Sequence, residues 1–112
     1  MNDTVRELVV KPLTRSSGWS KVRKEHLKRH PECAICGTKD QPAVHHIVPF
    51  GEDPHLELNP VNLITLCRKY KHHFTFGHLM KWKLYNPEIV QSAQYYQELI
   101  RKAKRIDLDL TT

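Results

Sequence analysis

No stretch of this chain approaches the roughly 18–20 consecutive apolar residues that a membrane-spanning helix requires, so no helical span is present and no membrane partner is expected. Nothing at the N-terminus resembles a signal peptide. The three cysteines are an odd number, and Cys33 and Cys36 share a spacing too short for an ordinary disulfide, which excludes a disulfide-stapled scaffold. The expected setting is therefore reducing, and the expected location is cytoplasmic. No internal repeat, low-complexity tract or linker is present, so a single domain over residues 1–112 is expected. The aromatic fraction of 8% and apolar fraction of 39% are modest. A chain of this size buries only roughly 60–70% of its unfolded surface, so a metal staple would help it fold.

What the chain has is positive charge and metal-capable side chains. Eighteen Lys and Arg against twelve Asp and Glu give a net charge of +6, the electrostatic footprint of a phosphate-backbone binder, though many small basic proteins are merely soluble. Eight histidines and three cysteines add the ligands. Cys33-x2-Cys36, His45-His46, Asn62 and Cys67-x4-His72-His73 fall within about forty residues. Thiolate and imidazole at such spacings fill two kinds of site, one closed and structural, the other open and catalytic.

The hydrophobic pattern predicts an α+β arrangement. Residues 1 to about 16 read as an extended arm, with Val5, Leu8, Val9 and Val10 docking as a strand. Trp19, Val22, His26, Leu27 and His30 recur at helical spacing after Ser17-Gly18, and Pro31 stops that helix. Its outer face carries Lys21, Arg23, Lys24, Lys28 and Arg29. A short strand is expected over Ala43–Phe50, an irregular loop through Gly51, Asp53, Pro54 and Pro60, and a second strand over Leu63–Cys67. Much of Tyr70–Trp82 reads as a helix that Gly77 weakens. Asn86-Pro87-Glu88 starts a C-terminal helix over about 87–105, whose apolar stripe is Ile89, Ala93, Tyr96, Ile100 and Ala103. Arg101, Lys102, Lys104 and Arg105 end it as cations the macrodipole favours.

Cys33 and Cys36 form a knuckle in which Gly37 permits the tight turn that points both sulfurs at one ion. Cys67 offers a third tetrahedral corner. Tyr70 stands where a second knuckle would want cysteine, so the fourth ligand comes from Cys67-x4-His72 or Cys67-x5-His73, and His72 is taken. The structural ion is expected to be Zn2+. His45, His46, Asn62, His73 and His78 remain in the same region. Cleavage of a phosphodiester needs a base to activate water and a cation to stabilise developing charge, and imidazole can supply the first and hold the second. His26, His30 and His55 have no such company and read as surface residues.

At this point the residues resemble a known family. Cys33-x2-Cys36, Val44-His45-His46-Ile47-Val48-Pro49, Asn62-Leu63-Ile64-Thr65-Leu66-Cys67 and His73 together look like the HNH endonucleases, over about residues 30–80. Phe76-Gly77-His78-Leu79 with Trp82 and Asn86-Pro87 is similar to a small phage and bacterial branch. The resemblance implies a ββα-metal fold in which two strands and a helix clasp one divalent ion. It implies His45 and His73 as ligands of that ion, His46 as general base, Asn62 as the residue that fixes the loop and orients the base, and Cys33, Cys36 and Cys67 as zinc cysteines. Family members usually have cysteine where His72 stands, and the commoner spacing is shorter by two residues, so His72 and His73 are interchangeable on sequence grounds. The first position of the pair is often aspartate. With His45 there, Mn2+, Ni2+, Co2+ or Zn2+ suits the catalytic seat better than Mg2+.

Adjacent residues of a flat strand face opposite ways, so a bulge near Val44–Ile47 is expected to bring His45 and His46 to one phosphate. His78 lies about 140° round an α-helix from His73 and joins the same ion only if Gly77 loosens the turn; otherwise it contacts phosphate or is a partly exposed histidine. The implied activity is hydrolysis of double-stranded DNA, by nicking or weakly specific cutting, leaving 5′-phosphate and 3′-hydroxyl ends. Lys69, Lys71, Lys81 and Lys83 join the first helix in holding the backbone. The rival readings are a non-catalytic zinc module for nucleic acid or protein, and a nuclease subunit active only in a larger complex; a homodimer or a larger phage or bacterial complex is the expected protein partner.

Overall fold

The computed structural model describes residues 16–111, with residues 106–111 described as helical backbone alone. The extended arm expected around Val5–Val10 lies outside the described residues. Among the described residues two helices flank a two-stranded antiparallel sheet: α1 is Trp19–Arg29, β1 is Pro42–His46, β2 is Leu63–Cys67 and α2 is Ile89–Thr111. This is a small α+β fold consistent with the ββα-metal arrangement. Among the described residues no helix is long and apolar enough to cross a membrane.

Helix α1 begins without a side-chain cap on Gly18. Ser16 does that work one turn earlier: its hydroxyl accepts from Gly18 N at 3.1 Å, and its carbonyl accepts from Trp19 N at 3.2 Å. Pro31 ends the helix, after His26, Lys28 and Arg29 have placed basic side chains in the last turn. One of these is not a surface residue as expected. His26 is 8% exposed, because its Nε2 donates to Thr65 Oγ1 of β2 at 2.9 Å while that hydroxyl donates to the His30 carbonyl at 2.6 Å. The relay ties both ends of the last helical turn to the sheet. Burial, then the neighbouring His30, lowers the His26 pKa.

The strands pair in regular register from Pro42↔Cys67 to His46↔Leu63, with β2 over the residues expected. Strand β1 ends at His46, four residues short of the predicted limit at Phe50, and no bulge interrupts it. Its side chains alternate, so Ala43 and His45 are buried and Val44 and His46 half-buried. Two 3-10 turns, Pro54–Leu56 and Pro60–Asn62, fill the connection between the strands. Each has proline in its first turn and an Asx cap, Asp53 accepting from His55 N and Asn59 from Val61 N.

The predicted helix over Tyr70–Trp82 is instead a single π turn, His73–Gly77, closed by His78 N donating to the His73 carbonyl at 3.1 Å. Leu79 and Met80 then take positive φ of 53° and 65°, which halts any helical continuation. Helix α2 starts as the sequence indicated: Asn86 Oδ1 accepts from Glu88 N at 2.9 Å and its carbonyl from Ile89 N at 3.2 Å. Its Ile89 and Ala93 join Cys33, Ile35, Leu66 and Cys67 in the core, with Tyr96 and Ile100 packed against it. Ala103, expected on this stripe, is exposed. Tyr96 meets Phe76 of the π turn with ring centroids 4.4 Å apart, so α2 braces the turn from behind.

Candidate metal centres

The first cluster grows from the knuckle. Gly37, at φ 76°, lets its N–H return to the Cys33 carbonyl at 2.8 Å, while Cys33 N donates to the Thr38 carbonyl at 2.9 Å. A side chain at that φ would be strained. Ala34 N donates to the Thr65 carbonyl at 2.9 Å and lays the knuckle along β2, whose last residue is Cys67. The outcome is a compact set of Cys33, Cys36, Cys67 and His72. Cys36 and Cys67 sulfurs stand 3.8 Å apart, and His72 Nδ1 lies 3.5 Å from Cys33 Sγ and 3.4 Å from Cys67 Sγ. A tetrahedron with Zn–S near 2.3 Å and Zn–N near 2.0–2.1 Å has edges of roughly 3.8 Å between sulfurs and roughly 3.5 Å from sulfur to nitrogen. These three edges fit zinc by length, and the four donors fit it by type, all lying within 4.8 Å of one another. Burial first, with Cys33 and Cys67 beside it, pushes the Cys36 thiol up to about 11. Burial also lowers the His72 pKa, which keeps its imidazole neutral and able to ligate.

The second cluster is His45, His73 and His78. His45 comes from β1, 3% exposed; the other two bracket the π turn. A separation of five residues would turn His78 well away from His73 on an α-helix, but the i→i+5 bond of a π turn brings it back to the same side. His73 Nε2 is 3.1 Å from His45 Nδ1 and 3.1 Å from His78 Nε2. His78 Nδ1 donates to the Leu84 carbonyl at 2.8 Å, which fixes its tautomer and turns the Nε2 lone pair inward. His73 Nε2 carries at most one proton and cannot join both neighbours by straight hydrogen bonds, whereas one cation can join all three. Imidazoles about a zinc-sized ion have nitrogens roughly 3.0–3.4 Å apart, depending on coordination number. His45 Nε2 and His73 Nδ1 are buried without a hydrogen-bond partner, so these two rings are oriented chiefly by packing and by the cluster itself. Burial, then the neighbouring His73, His78 and His46, lowers the His45 pKa to about 3. Burial, then His78 and Arg68, lowers that of His73 to about 4. Both rings are thus neutral at physiological pH and able to ligate a cation.

Gly77 makes the cluster sterically feasible. A Cβ there would lie 3.1 Å from His45 Cε1 and Leu66 Cδ1 and 3.2 Å from His45 Nδ1, the atom that faces His73. Gly77→Ala is expected to destabilise the chain by about 1–3 kcal/mol through overpacking and to weaken divalent-ion binding at the imidazoles while zinc at the sulfurs is retained. Thermal melts and a cobalt titration check this; parental cobalt affinity would show that the His45 ring tolerates the methyl.

His46 reaches the same region by another route. Its ring lies against Trp19 of α1, centroids 4.5 Å apart, and its Nε2 donates to the Glu57 carbonyl at 3.0 Å. A carbonyl only accepts, so the proton of a neutral His46 sits on Nε2 and Nδ1 is the basic nitrogen. A cleft of about 260 Å³ is lined by Trp19, His45, His46, His73, His78 and Tyr85, among others. Both histidines of the pair therefore border one space although they alternate on the strand. The expected bulge is unnecessary because His46 is the strand's last residue and the cleft wraps round that end.

Asn62 hydrogen-bonds to backbone groups and to none of the imidazoles among the described residues. Its Oδ1 accepts from Val48 N at 2.8 Å, and its Nδ2 donates to Val48 O at 2.9 Å and Leu56 O at 3.1 Å. It is 6% exposed and fastens the chain after β1 to the turn that presents the Glu57 carbonyl to His46. Glu57, Leu84 and Trp19 were not legible as site residues: two act through backbone carbonyls, which any residue type supplies. His55 is exposed, as expected.

No curated protein and no solved structure matches the chain. Residues 33–69 match the sequence model of one family, described as HNH endonuclease. The matched segment contains the knuckle, His45, His46, Asn62 and Cys67, and stops before His72, His73 and His78, whose grouping rests on geometry. That segment folds as a strand pair between two metal-capable clusters, so residues 33–69 are similar to the HNH endonuclease family, a likeness that suggests nuclease-type function with metal binding.

Proposed function

We propose that the protein is a metal-dependent endonuclease that hydrolyses DNA phosphodiester bonds, by nicking or weakly specific cutting. The observation that carries this reading is the cleft in which a histidine with a defined basic nitrogen borders three convergent imidazoles. A non-catalytic zinc module would need Cys33, Cys36, Cys67 and His72 and would leave the imidazole cluster without a purpose.

In this reading Cys33, Cys36, Cys67 and His72 hold a structural Zn2+, and His45, His73 and His78 hold the catalytic ion, for which Mn2+, Co2+, Ni2+ or Zn2+ suits an all-imidazole set better than Mg2+. That ion, when bound, supplies Lewis-acid stabilisation of charge on the phosphate and on the departing 3′ oxygen. His46 is the general base: with Nε2–H held by the Glu57 carbonyl, Nδ1 takes the proton of the attacking water. Asn62 is a positioning residue, acting through the backbone that orients His46. Trp19 closes one side of the His46 ring and narrows its rotamer freedom. The products are a 5′-phosphate and a 3′-hydroxyl.

Exposed Lys21, Lys24, Lys28 and Arg29 on α1, with Lys71, Lys81 and Lys83, supply cations for the DNA backbone. Lys69 is engaged by Asp40 at 2.8 Å and contributes less. Binding held by such contacts weakens steeply with salt and reads little sequence. The test is plasmid relaxation by the purified chain across a series of divalent ions, paired with metal analysis. The expected result is one tightly held zinc per chain, with nicking that depends on a second, exchangeable ion. A chain that holds a single metal and leaves the plasmid intact with every ion would overturn the reading.

A further inference from the structure

Beside the imidazole cluster lies a second, larger cleft of about 620 Å³, lined by Arg68, Lys71, His73, Phe74 and Trp82 and not by His46. Its volume falls within the roughly 300–1,000 Å³ typical of small-ligand sites. Trp82 is 63% exposed, a large apolar surface to leave in water. It is nonetheless held: its ring meets Phe74 at 4.8 Å, His78 at 4.9 Å and His73 at 5.5 Å between centroids. Arg68 and Lys71 are exposed, and among the described residues they enter no ion pair and no acidic side chain lines the cleft. A fixed aromatic platform with two uncommitted cations has the chemistry that meets a nucleobase on one side and its phosphates on the other.

We propose that Trp82, with Phe74 behind it and Arg68 and Lys71 at the rim, is a stacking subsite for one unpaired nucleobase next to the scissile phosphate. Bases inside a duplex are already stacked on one another and cannot present a face to Trp82, so the occupant is a base that is single-stranded or displaced from its helix. His73 lines this cleft and belongs to the imidazole cluster, so a base seated here sets the adjacent phosphate at the candidate catalytic ion. The subsite rests on the endonuclease reading and narrows its substrate: single-stranded or helix-distorted DNA is preferred over a perfect duplex, and the distinction is made by ring stacking rather than by base identity.

The experiment measures binding of labelled oligonucleotides by the full chain carrying His46→Ala, alongside plasmid nicking by the parent. Four probes are compared: a perfect duplex, the same duplex with one extrahelical base, that bulge made abasic, and a free nucleoside monophosphate. The bulged duplex is expected to bind about tenfold more tightly than the perfect or abasic ones. Adding Trp82→Ala should abolish that preference and leave perfect-duplex affinity unchanged, while Trp82→Phe should keep most of it. A merely structural Trp82 would instead weaken all probes together and reduce bound metal.

Equal affinity for the bulged and abasic probes, in a chain whose parent still nicks plasmid, overturns the subsite and leaves the endonuclease reading standing. A nucleoside monophosphate that binds as tightly as the bulged duplex makes the cleft a mononucleotide site and overturns it as well. A Trp82-dependent preference in a chain whose parent cleaves nothing with any ion removes the endonuclease reading, and with it the role assigned to this base.

Discussion

His46→Ala is expected to slow phosphodiester cleavage by about 10²–10⁴-fold, the usual contribution of a positioned general base, while zinc content and divalent-ion affinity stay at parental values. Those two readouts are predicted to separate because the structure separates the residues. His46 is directed at the Glu57 carbonyl and Trp19, whereas the 3.1 Å nitrogen contacts join His45, His73 and His78 to one another. On the proposed reading, removing the His46 ring therefore leaves the His45, His73 and His78 cluster intact. Asn62→Ala would be a less clean probe of the same step. It would strip hydrogen bonds from Val48 N, Val48 O and Leu56 O at a buried position, at a cost of about 1–3 kcal/mol for each group left unsatisfied, so lost activity would be confounded with lost fold. Initial rates of plasmid nicking under saturating manganese or cobalt, with metal analysis of the same preparation, decide the matter. Parental rates in His46→Ala would remove His46 as the base.

How much of this could be read from the chain depended on whether the cause was local. Strand β2 and the start of α2 were legible because their determinants are contiguous: an unbroken Leu63–Cys67 run, and the Asn86-Pro87-Glu88 cap. The knuckle was legible for the same reason, since Gly37 lies within it. The stretch after Cys67 was misread as a helix because its composition permits one. What sets the π turn instead is tertiary: α2 presses Tyr96 on Phe76, and the His45 ring occupies the space above Gly77 that a side chain would fill. His26 was misread as a surface residue because its partner Thr65 lies 39 positions away, a separation no helical periodicity reports. The bulge was expected from the alternation rule, which holds inside a strand and loses its force at the last paired residue. The grouping of the imidazoles lies between these cases: sequence supplied the ligand types, and only the i→i+5 turn brings the third of them in.

Cys36→Ala is expected to abolish cooperative thermal unfolding, not merely to lower the midpoint. Structural zinc in small zinc-dependent folds contributes about 10–16 kcal/mol of apparent binding free energy at neutral pH, against total stabilities of about 5–15 kcal/mol for ordinary domains. The conventional core is correspondingly thin: its six buried members include Cys33 and Cys67, so the metal site and the apolar cluster share residues. Burial and neighbouring sulfurs push the Cys36 thiol up to about 11, and zinc binds thiolate, so binding there must displace that proton. Zinc uptake by the stripped chain in weak buffer should therefore release protons as structure is gained. The consequence extends past the knuckle. His72 and His73 are adjacent, one in each cluster, so a backbone that loses the ion joining Cys67 and His72 is expected also to lose the π turn that presents His73 and His78. Cys36→Ala should thus forfeit both metals, whereas Gly77→Ala forfeits affinity at the imidazoles alone. Circular dichroism melts with metal analysis read this directly, and a melting curve for Cys36→Ala superimposable on the parent's would show that the four-donor cluster does not hold the fold.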